Sequence, residues 1–224
     1  LCRTKSQTNI VINSLQSAGI PVIENKLGLF NCSPVQDIIS WCQLICGGIF
    51  QDSALFRIVK KTYNYEIAYL VFNKYDKKNS QHRYDLIKKD INTQDQYLKL
   101  KTVIKKVEYF KSIARKRTAG EMVWDISQYL KVFQTKVKRY SFDDHYNLLN
   151  LGDFLKRSQS FSLRNKKKNH INAFNKYLEV VIQSGGLPSL MPEPYNESQC
   201  VNVHTIHSVK GAEFPIVFLP FHRS

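Results

Sequence analysis

The sequence predicts a mainly α-helical protein with a small α/β portion, and three observations carry that prediction. Strand-like and helix-like segments alternate only over residues 1–48 and 198–224. Residues 49–197 read instead as long amphipathic helices with no strand alternation. Charge follows the same division. Between Arg57 and Lys176 lie 28 of the 33 basic residues and 11 of the 18 acidic ones, leaving 5 and 7 for the rest of the chain.

At 224 residues, 43% hydrophobic and 23% charged, the chain has the composition of a soluble globular protein of one or two domains. No apolar run approaches the roughly 18 residues that span a bilayer, so no membrane partner is expected. No basic-then-apolar leader opens the sequence. Leu1 reads as already within a strand, which suggests an excerpt from a longer protein, expected to be cytoplasmic. Five cysteines, an odd number with no Cys-x-x-Cys pair, read as buried reduced thiols. Neither they nor the histidines have a spacing that argues for a metal site, and none is expected. The net charge of +15, concentrated in the middle, should attract phosphate backbones in a strongly salt-dependent way.

The first helix is predicted over Ser6–Ala18, with Ile10, Val11, Leu15 and Ala18 at helical spacing and Gly19 as its stop. Pro21-Val22-Ile23 begins a short extended piece. A second helix is predicted to start with Ser33 as N-cap, Pro34 at the first position and Gln36 at the third, a capping-box arrangement. Its buried stripe would be Val35, Ile38, Ile39, Cys42 and Ile45, and Gly47-Gly48 would end it.

Within the basic middle, Gln96–Arg117 places Leu100, Val103, Ile104, Val107, Phe110 and Ala114 on one face, with Lys101, Lys105, Lys106, Lys111, Arg115 and Lys116 mostly opposite. Glu121–Lys138 repeats Val123, Ile126, Leu130, Phe133 and Val137 at spacings of three and four, the seam of an antiparallel bundle or coil. Shorter helices are expected over Tyr146–Arg157 and Ile171–Gln183, with Arg164–Asn169 as a flexible loop between them. The turn- and proline-rich Ser184–Pro194 reads as a linker returning to the first region, where Val201–Ile206 and Ile216–Leu219 would be strands.

The densest chemistry lies in Thr205, His207, Ser208, Lys210, Gly211 and Glu213, a polar segment between those last two stretches. Such a loop presents hydroxyl, imidazole, ammonium and carboxylate groups from a sheet edge, where a polyanion can be gripped. The run Thr205-Ile206-His207, then Lys210-Gly211-Ala212-Glu213-Phe214-Pro215, closely resembles motif V of the UvrD/Rep-type superfamily 1 DNA helicases. Near Leu1, Arg3-Thr4 followed by Gln7, a helix and Gly19-Ile20-Pro21 resembles motif IV of the same family, in the family's order. The resemblance covers about residues 1–50 and 198–224; between them it is one of layout.

That resemblance implies a specific architecture. Residues 1–48 and 198–224 would form part of a RecA-like lobe, called 2A, of the P-loop NTPase type, and residues 49–197 a helical, basic 2B-like insertion with its return linker. It also implies roles. Arg3 would supply a guanidinium to the γ-phosphate of ATP as the catalytic residue, since a planar, permanently charged donor suits charge spread over three oxygens. Gly211 would let backbone approach the nucleotide, and Glu213 would accept a hydrogen bond from its ribose. Thr205, His207 and Lys210 would contact DNA. Gln7 reads as a helix-start hydrogen-bonding residue, and Ala212 stands where many members carry Leu.

The phosphate-cradling Gly-x-x-x-x-Gly-Lys-Ser/Thr loop, the acidic pair that holds Mg, and an arginine-rich motif VI are missing from the sequence. ATP and Mg are thus the expected cofactors of an intact protein, with the Mg ligands outside this segment, and the segment alone should be inactive. No Gly-Ile-Gly turn, which grips duplex DNA in many members, occurs in residues 49–95. The expected function is a segment of an ATP-dependent DNA helicase or translocase of 3′→5′ polarity. Its partners would be single-stranded DNA and a duplex junction, with protein partners unspecified. Two alternatives stand beside it: a segment of a helicase–nuclease subunit, and a non-catalytic DNA-binding or protein-docking module.

Overall fold

A computed structural model describes residues 1–20, 22–24, 28–74, 83–90, 98–133, 142–190 and 201–221. The chain divides into two compact units, one formed by Leu1–Leu27 with Met191–Ser224 and the other by Gly28–Leu190.

The first unit holds helix α1 (Lys5–Ser17) and two short strands, β1 (Val22–Glu24) and β2 (Val201–Val203). The strands pair in parallel with Val22 opposite Val201 and Glu24 opposite Val203. Beyond Val203 the same backbone line forms a parallel bridge between Thr205 and Cys2. Cys2, Ile12 and Val203 make its small core, with Val11, Leu15 and Val22 against them. Helix α1 begins with a reciprocal cap: Gln7 N–H donates to Thr4 Oγ1 at 3.3 Å, while Gln7 Oε1 accepts from Thr4 N–H at 3.2 Å. It ends as expected at Gly19, whose φ of 72° lets Ile20 N–H reach back to the Leu15 carbonyl at 2.9 Å.

Residues Ile216–Leu219 are not the strand expected of them. A strand needs a ladder, and among the described residues this segment receives one backbone bond, from the Leu1 nitrogen to the Phe218 carbonyl at 2.6 Å. Its four side chains are exposed, Ile216 and Phe218 each to 74%.

The second unit is a helical bundle built around α2 (Ser33–Cys46). The predicted stripe of Val35, Ile38, Ile39, Cys42 and Ile45 is buried, but so are Trp41, Leu44, Asp37 and Ser40. A helix apolar on nearly every side must be enclosed. Helices α3 (Gln51–Thr62), α6 (Leu98–Ile113), α7 (Ala119–Tyr129), α8 (Phe142–Arg164) and α9 (Ile171–Gln183) all pack on it. This corrects the boundary expected at residue 48: α2 belongs to the helical unit, which begins at Gly28. Its N-cap is Cys32, without a side-chain cap bond. The predicted Ser33–Gln36 box does not form, and Ser33 Oγ accepts from Arg57 instead.

Helices α4 (Tyr65–Lys74) and α5 (Arg83–Asp90) follow α3. On α6 the predicted face is buried at Leu100, Val103, Ile104, Val107 and Phe110. Helix α7 begins with a capping box, Thr118 with Glu121, and stops short of the run predicted to Lys138. Lys131 turns left-handed at φ 54°, and Val132 N–H bonds back to the Ser127 carbonyl at 3.3 Å, so Leu130 and Phe133 lie past the helix. Val137 falls outside the described residues. Helix α8 is longer than predicted, whereas α9 has its expected bounds.

The Arg164–Asn169 loop, expected to be flexible, makes several hydrogen bonds. Asn165 donates twice to the Phe161 carbonyl, Lys168 N–H bonds to Asn165, and Ala119 N–H bonds to the Asn169 carbonyl at 2.6 Å. The first part of the predicted return linker is also fixed. Buried Asn150 exchanges two 2.8 Å bonds with the Leu190 backbone, and Leu29 N–H bonds to the Leu187 carbonyl.

Candidate functional site: the edge shared by Arg3 and the Thr205–Glu213 loop

Parallel strands deliver their carboxyl ends to the same sheet edge, which is where open α/β sheets bind ligands. Cys2 N–H donates to the His204 carbonyl at 2.8 Å, and Ile206 N–H donates to the Cys2 carbonyl at 2.9 Å. These two bonds fix Arg3, the next residue, alongside the start of the Thr205–Glu213 loop. The Gln7 cap holds Arg3 as well, because Gln7 Oε1 accepts from Arg3 N–H at 3.0 Å. The expected helix-start role of Gln7 thus extends to the backbone of the proposed phosphate ligand.

The loop has two turns. Residues Ile206–Val209 form a 3-10 turn in which Ser208 N–H bonds to the Thr205 carbonyl at 2.9 Å and Ser208 Oγ donates to the same oxygen at 2.7 Å. A type II β-turn follows. Lys210 adopts φ −56° and ψ 119°, Gly211 adopts φ 84°, and Ala212 N–H closes onto the Val209 carbonyl at 2.9 Å. Only glycine enters that second position without strain, which gives Gly211 a structural reason independent of any ligand. At the base of the loop the Phe214 ring lies 6.0 Å from the His204 ring. Burial, followed by the nearby Leu1 amino group, pushes the His204 imidazole below its usual value. His204 and Phe214 had no assigned role from sequence; their spacing gives no hint that they meet across the loop.

Arg3 is exposed and has no acidic partner among the described residues. With Gln7 and Ile206 it lines a cleft of about 500 Å³ whose other walls are Leu1, Cys2, Leu219 and Phe221. A free guanidinium at the rim of such a cleft suits a phosphoryl group. Thr205 is half-buried, while His207 and Lys210 are exposed on the loop. Lys210, Gly211 and Glu213 are not among the residues lining the cleft. The structure therefore gathers Arg3, Gln7 and the beginning of the loop, and leaves the ribose-assigned carboxylate outside that cleft.

No group of His, Cys, Asp and Glu able to hold a metal occurs among the described residues. Among the described residues Cys2, Cys32 and Cys42 are buried and Cys46 partly so; burial, then the neighbouring Cys46, raises Cys42, and burial with Glu179 pushes Cys46 up to about 12, against a lowering by Lys111. Cys200 falls outside the described residues. No helix among the described residues is long and apolar enough to cross a membrane.

Two comparisons with known proteins bear on this arrangement. RecB, a subunit of the RecBCD enzyme from Buchnera aphidicola subsp. Acyrthosiphon pisum (strain APS), is 29% identical to the chain over 132 residues, covering 54% of this chain and 11% of RecB. The chain thus spans about a tenth of the length of that curated relative. The sequence family described as the UvrD-like helicase C-terminal domain matches residues 1–222. With its motif IV and motif V segments meeting at one parallel edge, the chain belongs to the UvrD-like helicase C-terminal domain family.

Proposed function

We propose that this chain is the part of an ATP-dependent DNA helicase that senses bound nucleotide and couples it to the DNA strand. The observation that carries this reading is the parallel bridge between Cys2 and Thr205, which sets Arg3 beside the loop. In this reading Arg3 contacts the γ-phosphate of ATP as the catalytic residue, and the Gln7 cap orients its backbone. Thr205, His207 and Lys210 contact DNA phosphates or sugars, the Gly211 turn brings backbone to the nucleotide, and Glu213 accepts from the ribose. Because Glu213 lies outside the cleft lined by Arg3, its role requires the nucleotide to extend beyond that cleft. ATP and Mg are the cofactors, with Mg ligands elsewhere in the protein, and this chain alone does not turn over ATP.

The first unit would be part of lobe 2A and the helical unit a 2B-like domain, translocation running 3′→5′ along a single strand toward a duplex junction. A second reading, a helicase–nuclease subunit, is favoured by the similarity to the RecB subunit of RecBCD. The test is Arg3→Ala in the whole protein. DNA-stimulated ATP turnover should be lost while DNA binding persists, and unchanged turnover removes the site assignment.

A further inference from the structure

The helical unit has a groove of about 580 Å³ along the final turns of α8 and beside α9. Its charge is one-sided. Lys156, Arg157 and Arg164 line it against one carboxylate, Asp153, and that carboxylate is occupied by Arg157 Nε at 2.7 Å. Lys156 and Arg164 are exposed, with no acidic partner among the described residues. They stand two helical turns apart on one face of α8, roughly 12 Å along its axis. The loop that continues from Arg164 and Asn165 carries Lys166, Lys167 and Lys168, all exposed.

The groove also has an aromatic wall. Tyr177 on α9 lines it and stays 39% exposed. Phe161, 5.4 Å away, and Phe174, at 6.0 Å, hold its ring in place. Cations in a row beside a fixed, partly open ring make up the pattern that grips a single strand, phosphates on the charges and a base on the ring. An acidic peptide would use the cations but not the ring. A duplex would present no free base face.

We infer that this groove is a second nucleic-acid site, taking single-stranded phosphodiester backbone along Lys156 and Arg164 with one base stacked on Tyr177. The inference rests on the reading of DNA as substrate and adds a contact separate from the Thr205–Glu213 loop.

The test uses the 224-residue chain, without nucleotide, and a fluorescein-labelled oligothymidylate of about 15 nucleotides in anisotropy titrations at several salt concentrations. Lys156→Glu with Arg164→Glu should weaken binding at least tenfold and flatten the log–log salt slope by about 1.4, two phosphate contacts' worth. Lys105→Glu, an exposed lysine on α6, should weaken it less than threefold. Tyr177→Leu should weaken binding to the single strand more than to a duplex of the same sequence, and Tyr177→Phe should retain it. In the unsubstituted chain, 5-bromodeoxyuridine placed in the oligonucleotide should photo-crosslink within residues 156–177. Equal losses from Lys105→Glu, or crosslinks only outside 156–177, overturn the inference. Crosslinks confined to residues 205–211 would overturn it while leaving the helicase reading intact, whereas an absence of any binding would remove both.

Discussion

Cys2 and Thr205 face one another in a parallel bridge, joined by bonds from Cys2 N–H to His204 and from Ile206 N–H to Cys2. Because the two lines run the same way, the residue after Cys2 and the loop after Thr205 emerge at one edge. Arg3 and the start of the loop, from opposite ends of the sequence, are thereby brought to one edge.

Gly211→Ala forces a Cβ into the second position of a type II turn at φ 84°. Nothing lies within 4 Å of that Cβ, so the cost is backbone strain of about 1 kcal/mol rather than a clash. ATP turnover and strand binding by the whole protein should both fall, and Gly211→Asn, which tolerates this region better, should recover part of each.

Buried Asp37 on α2 is held by Arg57 Nε at 2.9 Å and by Lys61, one turn further along α3. Removing both cations leaves a carboxylate with 4% side-chain exposure unpaired. The double variant Arg57→Ala, Lys61→Ala should lose about 3–5 kcal/mol in urea unfolding. Asp37→Asn should lose less, because Arg57 and Lys61 are 35% and 62% exposed and can be solvated.

Glu108 on α6 binds α5 through Tyr84 Oη at 2.7 Å and Lys88 Nζ at 2.6 Å. Burial opposes its ionisation, but the hydrogen bonds from Lys88 and Tyr84 and the charges of Lys111 and Lys88 outweigh it, holding the carboxyl at about 2. A folded pKa below the unfolded one means stability that is complete above the ordinary carboxylate range and is lost as pH falls toward 2. With 36% side-chain exposure, screening reduces this share to about 1 kcal/mol. Unfolding of the chain between pH 6 and about 2.5 should show that loss, and Glu108→Gln should remove it from the profile.

Gly120 lies at the start of α7 where it meets α8. A Cβ there would stand 3.0 Å from Gln159 Cα and 3.3 Å from its nitrogen. Alanine would gain up to about 1 kcal/mol of helix propensity, yet the neighbour is backbone and must shift, so Gly120→Ala should be net destabilising by about 1–2 kcal/mol in thermal or urea unfolding.

What the sequence made legible follows from how local each signal is. Helix α9 and the buried face of α6 were readable because periodicity over a dozen residues encodes them directly. Spacing predicts a capping box at Ser33 and Gln36, whereas among the described residues such boxes form at Thr4 with Gln7 and at Thr118 with Glu121. The pattern at Ser33 was present, but Arg57 takes its hydroxyl, a tertiary contact that spacing cannot show. Helix α2 falls within Gly28–Leu190 rather than with the first unit, and its apolar stripe alone does not show this, because the enclosure comes from Trp41 and Leu44 buried on its other sides. Arg3 and the loop were readable as motifs. That Gln7 would hold the Arg3 backbone, and that Glu213 would lie off the Arg3 cleft, depends on pairings that no local pattern records.

The most direct test of the shared edge is nuclear magnetic resonance of the 224-residue chain. Through-space contacts between the Cys2 Hα and the Ile206 amide proton, with slowed hydrogen exchange at both Cys2 and Ile206 amides, are the predicted result. Their absence in an otherwise folded chain, with both amides exchanging freely, would separate Arg3 from the loop and contradict the account.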